Sequence, residues 1–547
     1  MHQFLLTGVV CLLLASGLFA QGTVTERTIQ PDTETTSAPG VRLSREEREA
    51  LMDKIEKIRE QAAEAADRNL PPAPPGLPLL PGQESQVVVG GLATQIHPLP
   101  TSSFLIGKNV TNPRANDLAL ASTLAEPAAA NDGLHLFAAG NFDHAEYSLD
   151  GGTTWTDVPV PAGPVGAPID CCDHDVVYDK ARGATFWSTL YINASATESV
   201  VRIFVRRTVD ATACFYTLDE PGNILMDYPH MGLSNDFLYL ASNDIGGGLP
   251  GGQSSRMRRM SLDELYDCAT VTVTTYSKSV LTEGQRVWRP VEGATERMYW
   301  AHNVNGTTIR VHSWDETAGA PTSVTRILAL SMFGNPDCRG GTGNFDWADS
   351  VWGSSIGFNM HGAVGGFGSG ATGSTGRVGW WWNVRSDLAV SHTQGHVHAA
   401  IFNEPGLVLV AQPAIFSSTT CIGLPNVSSN RRGDLGMALG IGGKFGGLGT
   451  AVSPAYGIDD DFTTGIGAFG TFTIPAGMSG THNRSDQRYG DYFTIHPNTP
   501  CDMFFTATGY SLVGGSGVAN VVSRITDFGR QRDAKCYYGW RDTVRTP

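Results

Sequence analysis

Short apolar runs of alternating character recur along most of the chain and predict a repeating β-sheet unit. Four aromatic-rich strands follow one another at intervals of 51, 52 and 60 residues. Such a spacing is typical of one four-stranded sheet per repeat, as in the blades of a β-propeller. The first residues of these strands are Leu134, Thr185, Phe237 and Arg297, and a further strand of this kind begins at Met503. With two less regular units, the pattern predicts an all-β propeller of six or seven blades.

A chain of β-sandwich domains is the competing interpretation. It predicts turns every 8 to 12 residues or so without a longer period, so the observed period favours the propeller. Each clear unit is preceded by a stretch rich in Gly, Pro or acidic residues. In a propeller the first strand of each blade lies nearest the axis, and polar residues at its start then face the central channel.

The N-terminal part of the chain differs from the rest. Residues 1–20 are predicted to be a signal peptide, with a membrane anchor as the alternative. Polar, Thr-rich residues 21–42 predict disorder, residues 43–70 a helix, and residues 71–84 a Pro-rich linker. The propeller domain is then predicted over residues 85–547.

The predicted helix has a recognisable start and one apolar stripe. Ser44 and Glu47 have the spacing of a capping box. The stripe consists of Leu51, Ile55, Ile58, Ala62 and Ala65. Because the stripe is narrow and rich in alanine, we expect the helix to dock weakly or to serve as a stalk.

Composition narrows the class of protein. The net charge is −15, and only 17% of residues are charged. A nucleic-acid partner is not expected, because phosphate binding needs a concentrated positive surface. The 65 glycines suit turns and bulges better than helices. Apart from the signal, no segment is long and apolar enough to predict a membrane span in the mature chain.

Eight cysteines follow the predicted signal, and an even number in an exported chain predicts disulfides. Sequence alone does not choose the pairing. Cys171 and Cys172 are adjacent, so they form either a vicinal disulfide or bonds to two separate partners. We expect separate partners.

Residues 148–155 read Ser-Leu-Asp-Gly-Gly-Thr-Thr-Trp and predict a tight hairpin. Gly151 and Gly152 supply the positive φ angles of a hairpin tip, and the Asp150 carboxylate can accept hydrogen bonds from the amides of the turn. The octet matches the Asp-box, Ser-x-Asp-x-Gly-x-Thr-Trp. The chain resembles the sialidase-like β-propellers, in which this box recurs between the outer strands of blades. The resemblance implies a structural role for Asp150, away from the channel.

The resemblance does not extend to the sialidase active-site elements. Sialidases carry a Phe-Arg-Ile-Pro element, and the nearest match here, Val201-Arg202-Ile203-Phe204, lacks the proline. What the resemblance implies is therefore a glycan-acting propeller rather than sialidase activity itself. Fold alone does not determine function.

Polar residues at the predicted blade openings are the candidate site. Aligning the openings places His174 opposite His230, beside Asp173 and Asp175. Two such histidines can share a metal, or one can act as a base, whereas histidines satisfied by neighbouring backbone are the alternative. No spaced metal-ligand motif accompanies them. We therefore predict no cofactor and no assigned metal ligand, and leave a divalent metal open.

Later openings add arginines, carboxylates and tyrosines, which suit an acidic or polyhydroxylated sugar. The alternative is that Arg and Asp side chains of neighbouring blades pair with one another and hold the ring closed. The predicted catalytic residues are Asp175, His230, Glu292, Asp491 and Tyr492, and the predicted substrate-binding residues are His174, Arg289, Arg432 and Arg488.

His396 and His398 have the spacing of one strand face and form a separate candidate. They can bind a metal, but a polar surface patch is the more common outcome for such a pair, and we expect a patch.

Three functions remain open at this point. We expect a monomer, secreted to the extracellular space or periplasm, that acts on a polysaccharide or glycoconjugate, first of all as a glycoside hydrolase. A polysaccharide lyase is the second hypothesis, with His230 or Tyr492 as the base and Arg289 on a uronate carboxylate. A non-catalytic binding propeller, with the helix and linker as its stalk, is the third.

Overall fold

The described part of the chain forms eight β-sheets, seven of which are the blades of a seven-bladed propeller, and this confirms the predicted all-β fold. It is seen in a computed structural model. The residues described are 22–32, 41–67, 84–86, 88–90, 102–114, 116, 122, 124–142, 144–207, 213–220, 222, 224–246, 249, 252–279, 288–305, 307–328, 338–340, 345–347, 360–368, 376–384, 392–444, 449–463, 465–467, 469–484, 489–514 and 520–544. The predicted signal and nearly all of the predicted linker lie outside them.

Six elements precede the first blade. They are strands β1 (Thr23–Ile29) and β2 (Pro31–Asp32), helix α1 (Arg45–Asp67), and strands β3 (Glu84–Gln86), β4 (Val88–Gly90) and β5 (Phe104–Thr111).

Blades 1 to 4 follow in chain order. Blade 1 contains β6 (Ala128–Asn131), β7 (Leu136–Gly140), β8 (His144–Ser148) and β9 (Thr156–Asp157). Blade 2 contains β10 (Ile169–Asp179), β11 (Ala184–Ile192), β12 (Ser199–Arg207) and β13 (Ala213–Leu218). Blade 3 contains β14 (Ile224–Leu233), β15 (Phe237–Gly246), β16 (Gln253–Ser261), helix α2 (Leu262–Tyr266) and β17 (Val271–Ser279). Blade 4 contains β18 (Arg289–Pro290), β19 (Arg297–Asn305), β20 (Thr308–Asp315) and β21 (Thr322–Ile327).

Blades 5 to 7 complete the ring. A two-stranded hairpin, β22 (Arg339–Gly340) and β23 (Phe345–Asp346), precedes them. Blade 5 contains β24 (Met360–Phe367), β25 (Arg377–Val384), β26 (His396–Asn403), β27 (Val408–Ala411) and β28 (Ala414–Phe416). Blade 6 contains β29 (Cys421–Ser429), β30 (Leu435–Gly442), β31 (Ser453–Asp459) and β32 (Thr471–Thr473). Blade 7 contains β33 (Ile495–Pro497), β34 (Phe505–Val513) and β35 (Asn520–Arg530), and it is followed by a 3₁₀ turn (Gln531–Asp533) and helix α3 (Ala534–Val544).

The ring is closed by a strand from the start of the chain. β5 pairs antiparallel with β35, from Thr111 opposite Arg524 to Phe104 opposite Arg530. Blade 7 therefore takes its fourth strand from the segment before blade 1. This pairing joins the two ends of the propeller through a continuous ladder of backbone hydrogen bonds.

The other N-terminal strands cover exposed sheet edges. β1 pairs with β17 and β2 with β13, both antiparallel, while β3 and β4 lie parallel to β28 and β32. The prediction of disorder over residues 21–42 is thus wrong for residues 23–29 and 31–32. Because these strands are held by backbone pairing to blade edges, their polar side chains gave no indication of order.

Small residues and large aromatic side chains share the packing between blades. A Cβ on Gly232 of β14 would lie 2.9 Å from Cβ of Pro290 in the next blade, so the inner strands approach as closely as expected. Further out, Trp288, Trp300 and Trp314 are fully buried together with Tyr276 between blades 3 and 4. Among the described helices, none is long and apolar enough to cross a membrane.

The eight cysteines form four disulfides: Cys171–Cys172, Cys214–Cys268, Cys338–Cys421 and Cys501–Cys536. The expectation of separate partners for Cys171 and Cys172 is wrong, because they bond to each other. Both are fully buried at the start of β10, where an irregular register leaves them facing one another rather than a cysteine of another blade.

Loss of the Cys214–Cys268 bridge should lower stability measurably. The bridge joins β13 of blade 2 to the segment after α2 of blade 3 and spans 54 residues. Closing a loop of this length stabilises a fold by roughly 4 kcal/mol in the chain-entropy model. We expect Cys214→Ala, Cys268→Ala and the double variant to show the same fall in thermal midpoint, since each removes the same bond. A double variant much less stable than either single variant would contradict this expectation.

Candidate functional site

Helix α1 lies across the end of the propeller axis at which the inner strands begin. Its first turn has the predicted capping box, since the Ser44 amide donates to Glu47 Oε2 (2.7 Å) and the Glu47 amide donates to Ser44 Oγ (3.3 Å). Leu51, Met52 and Ile55 are buried in one cluster with residues of blades 1 to 3. The expectation of weak docking or a stalk is wrong, because this face is packed into the propeller.

The same helix inserts a guanidinium into the axis. Arg59 Nε donates to Asp227 Oδ1 at 2.7 Å, and its two terminal nitrogens donate to Asp491 Oδ2 at 2.7 Å and to Asp173 Oδ2 at 3.0 Å. The three carboxylates come from blades 3, 7 and 2. Arg59 is 10% exposed and the carboxylates no more than 6%. One cation therefore ties three blades and α1 together at this end of the axis.

The single positive charge of Arg59 does not balance the three carboxylates of Asp173, Asp227 and Asp491, which we call the acidic trio. Burial makes this imbalance costly. Burial raises the pKa of Asp227 to about 6, although Arg59 opposes the shift. Burial likewise raises the pKa of Asp173, and the neighbouring Asp491 carboxylate adds to that effect. Burial disfavours the charge of Arg59, but the surrounding carboxylates outweigh it and raise the pKa of Arg59 well above its usual value. Asp227 therefore takes up a proton as pH falls through about 6.

The backbone around the trio is bulged in the same way in three blades. Inner strands β10, β14 and β29 each place two residues opposite one of the next strand, between Cys172 and Asp175, Asp227 and His230, and Gly423 and Asn426. Each bulge contains a non-glycine residue with positive φ, a strained conformation. These residues are Asp173 (φ 55°), Tyr228 (φ 53°) and Leu424 (φ 55°).

The register of β10 and β14 corrects the predicted alignment of the two blades by one residue. It makes Asp175, rather than His174, the counterpart of His230. His174 instead points into blade 2, where its Nε2 lies 2.8 Å from Thr189 Oγ1 and its Nδ1 accepts from Trp187 Nε1 at 3.3 Å. The pairing of His174 with His230 across the axis is therefore wrong, because the His174 ring lies against Trp187 and Thr189 inside blade 2.

His230 lies in a layer of rings just behind the acidic trio. Its ring meets Tyr228 and Tyr492 edge-on, with centroids 4.1 and 5.2 Å away. Its Nδ1 lies 3.8 Å from Asp175 Oδ2, longer than a hydrogen bond. Burial and the Arg289 charge lower the pKa of His230 to about 4, so the imidazole is neutral at pH 7. Tyr492 donates its hydroxyl to the His174 carbonyl at 2.8 Å.

The opposite end of the axis is a cavity of about 500 Å³. All seven innermost strands, or the segments beside them, contribute to its wall, and the long strands β10, β14 and β29 do so through their later residues. Asp175, Arg289, Glu292 and His496 are among the titratable side chains that line it. It therefore lies beyond the ring layer, at the other end of the inner strands from Arg59.

These four groups are electrically coupled. His496 Nδ1 is in hydrogen-bonding contact with Glu292 Oε1. Burial lowers the pKa of His496, but the Glu292 carboxylate outweighs burial and raises it. Burial raises the pKa of Asp175, yet contacts with His230 and Arg289 outweigh it and hold that pKa below its usual value. At neutral pH the cavity thus holds a fixed carboxylate at Asp175 and a readily protonated imidazole at His496.

Two donors in the cavity have no hydrogen-bond partner among the described residues. Arg289 is 7% exposed, and one terminal nitrogen, NH1, is unsatisfied. His496 Nε2 is likewise unsatisfied. Buried donors are normally paired. A ligand with acceptor oxygens would satisfy both.

The predicted site residues fall into three groups. Asp175, Arg289 and Glu292 line the cavity together. The other predicted residues sit elsewhere: His230 and Tyr492 in the ring layer, Asp491 on Arg59, His174 inside blade 2, and Arg432 in ion pairs with Asp434 and Asp533. Arg432 therefore forms ion pairs with other side chains and does not line the axis. Arg488 lies outside the described residues.

Sequence reasoning missed Arg59, Asp227 and His496. His496 stands in the blade 7 opening, five residues after Asp491, and extending each opening to the end of its inner strand would have included it. Asp227 lies in the blade 3 opening and was passed over for His230. No sequence pattern distinguishes Arg59, because it is one of many charged residues on a polar helix.

The octet at residues 148–155 forms the predicted hairpin between β8 and β9, the third and fourth strands of blade 1. Asp150 Oδ1 accepts from the amides of Thr153 (2.9 Å) and Thr154 (2.8 Å). These bonds hold the pKa of Asp150 at about 2. The carboxylate is used within its own turn, at the outer side of the blade.

Comparison with known proteins yields no family. No protein-family model matches the chain, and no curated protein sequence matches it. Among solved structures, an α-L-arabinanase of Penicillium chrysogenum in complex with arabinobiose is 11% identical, with 78% of this chain and 98% of that chain covered and a TM-score of 0.38. A GH93 α-L-arabinofuranosidase of Fusarium graminearum is 10% identical (77% and 97% covered, TM-score 0.37), and a Trypanosoma rangeli sialidase is 12% identical (66% and 60% covered, TM-score 0.31). Such low TM-scores say nothing about the chemistry of the present site.

Replacing Arg59 with Met should destabilise the protein in a pH-dependent way. Removing one partner of a buried ion pair leaves the other charges uncompensated, and we expect a loss of about 3–5 kcal/mol in the free energy of unfolding near neutral pH. Carboxylates with a raised native pKa bind more protons in the folded than in the unfolded state, so their burden on stability is relieved as pH falls through about 6. The loss should therefore be smaller at about pH 5 than at about pH 8 in urea unfolding.

Lys57→Met is the matched control for this prediction. Lys57 stands on the same helix with an exposed side chain. Its replacement should change the free energy of unfolding by no more than about 0.5 kcal/mol at either pH. Equal losses for the two variants, or a loss for Arg59→Met that does not depend on pH, would show that the trio does not fix the helix.

Proposed function

We propose that this protein acts on glycans through its axial cavity, by hydrolysing a glycosidic bond next to a sugar that carries a carboxylate. One observation carries the proposal. A single cavity holds a buried arginine with an unsatisfied nitrogen, a fixed carboxylate and an imidazole–carboxylate pair. These are the groups needed to bind an acidic sugar and to move a proton at its glycosidic oxygen.

Arg289 is the proposed binding group for the sugar carboxylate. Its guanidinium is buried in the cavity wall, and a carboxylate oxygen at NH1 would form a charge-assisted hydrogen bond. Such a bond is stronger where water is excluded. An acidic sugar would also offset the positive charges of Arg289 and of His496 in its protonated form.

Asp175 and His496 are the proposed pair for the chemical step. Asp175, whose pKa is held low, remains a carboxylate and can either activate water or stabilise the developing positive charge on the sugar. His496, whose pKa is raised, can donate its Nε2 proton to the leaving oxygen. Glu292 contacts Nδ1 of the same ring and would position it and support its charge.

A polysaccharide lyase is the second candidate, favoured by the neutral His230 next to the Arg289 charge. A neutral imidazole beside a neutralised uronate could remove the proton next to the carboxylate. Hydrolysis is preferred, because His230 lies behind Asp175 and is not among the residues that line the cavity. A product with the ultraviolet absorbance of an unsaturated uronate would favour the lyase, whereas binding without any product would favour the non-catalytic propeller.

The same proposal places the protein outside the cytosol. Four disulfides tie the described chain, and disulfides persist in oxidising compartments. Polysaccharides and glycoconjugates outside the cell are the substrates to which such a protein would have access.

Replacing Arg289 with Gln should weaken binding of acidic oligosaccharides and spare neutral ones. Removal of one charge-assisted hydrogen bond corresponds to a loss of affinity of about 10- to 100-fold. The measurement is a glycan array followed by titration calorimetry with the acidic oligosaccharide that binds best. Arg432→Gln is the control, since Arg432 lies outside the cavity and should leave affinity unchanged. Equal binding of acidic and neutral sugars by the wild type would contradict the assignment.

Substitutions at the proposed catalytic pair should remove turnover without removing binding. Asp175→Asn and His496→Gln should each abolish turnover on the best-bound oligosaccharide, with binding retained. A protonated His496 is lost as pH rises through its pKa, and Glu292→Gln removes the charge that raises this pKa. The alkaline limb of the kcat/KM profile should therefore move to lower pH in Glu292→Gln. An unmoved limb would show that His496 is not the acid.

A further inference from the structure

Three histidines converge in blade 5, apart from the axial cavity. His396 and His398 are the first and third residues of β26, and His392 precedes them by four residues. All three are buried, at 2%, 0% and 4% exposure for His392, His396 and His398. The expected polar surface patch at His396 and His398 is therefore wrong, because both side chains are buried.

Their ring nitrogens point at a common position. One ring nitrogen from each histidine lies within 4.8 Å of one from each of the others. His396 Nε2 and His398 Nε2 are 2.9 Å apart, and the ring of His392 lies 4.6 Å from that of His396 between centroids. Alternate residues of a strand share a face, which explains the pair, and the preceding segment turns back to add the third ring.

The surroundings hold the rings in place. The Nδ1 of His396 donates to the Gln394 carbonyl at 3.0 Å, so the Nε2 of this ring carries a lone pair directed at His398. A hydrogen bond of this kind on the far nitrogen fixes ring orientation in histidines that bind metals. Phe416 packs on His392 with 4.3 Å between centroids, and Trp382 meets His398 edge-on at 6.4 Å. The result is an apolar wall around nitrogen ligands.

We propose that His392, His396 and His398 bind a divalent transition-metal ion of the Zn²⁺ class. Tetrahedral coordination by imidazole at 2.0–2.1 Å places two ligand nitrogens about 3.3 Å apart, so the His396 and His398 nitrogens need to separate by only about 0.4 Å. The metal would replace the contact between the two Nε2 atoms. Three nitrogen ligands without a carboxylate disfavour Ca²⁺ and Mg²⁺, which take oxygen ligands.

The site is independent of the proposed glycan chemistry, since none of the three histidines lines the axial cavity. Three protein ligands leave a fourth position for water or another donor. The site lies at the end of blade 5 where the third strand begins. In an antiparallel blade the first and third strands begin at the same end, so the site lies at the end of the propeller on which α1 packs.

The test is metal binding by the full-length protein, produced without a histidine tag and stripped with a chelator. We expect titration with Zn²⁺ to reach about one ion per chain and Co²⁺ to give the visible spectrum of four-coordinate cobalt. The thermal midpoint should rise with Zn²⁺ concentration, because the ion binds the folded state. His396→Asn and His398→Asn should lose the ion, whereas His482→Asn, at a half-buried histidine elsewhere, should bind as the wild type does.

A measurement on the wild type removes the dependence on variants that fold poorly. Cu²⁺ bound at one equivalent should show hyperfine coupling to three imidazole nitrogens in electron paramagnetic resonance. A wild type that binds no more Zn²⁺ than His396→Asn, or Cu²⁺ coupled to fewer than three imidazoles, would overturn the proposal. The two Nε2 atoms would then simply form a hydrogen bond within the blade core.

Discussion

One buried cation among three carboxylates determines how this propeller is assembled at its axis. Arg59 reaches Asp173, Asp227 and Asp491 from a helix that belongs to none of the blades. Taking such charges out of water is costly, and only the complete set of partners offsets that cost. The helix is therefore held where the three blades meet, and its apolar face adds packing around this ionic centre. A hairpin or loop without the arginine could not close this end without leaving bare carboxylates.

Sealing one end of the axis separates it into two chemical environments. The sealed end pairs its acids with Arg59, a side chain of the same protein. Asp175 lies at the boundary between the ring layer and the cavity. Its carboxylate is near His230 on one side and forms part of the cavity wall on the other. The cavity holds Arg289 with a nitrogen that the described chain leaves unsatisfied. The end opposite to the predicted one is thus the end suited to a ligand.

The blades were predictable from sequence, whereas the centre was not. Strand alternation and the recurring aromatic runs are local, so the spacing of strands such as those at Thr185 and Phe237 reports the repeat directly. The contacts of Arg59 span from 114 to 432 residues, and no local pattern encodes them. The one-residue error at His174 is an error of register, and a shift of one residue moves a side chain to the other face of a strand. Asp175, Arg289 and Glu292 were found because they stand where inner strands carry polar residues.

Side-chain chemistry then assigns a different class of ion to each of three places. The carboxylates of Asp173, Asp227 and Asp491, near the starts of the inner strands, bind a cation, and that cation is the side chain of Arg59. The cavity sets an unsatisfied guanidinium nitrogen near a carboxylate with a lowered pKa, so its wall offers an anion a donor at Arg289 and repels it at Asp175. Imidazoles alone in blade 5 suit neither anions nor hard cations. Because the three donor sets differ in charge and hardness, a ligand suited to one of them is poorly suited to the other two.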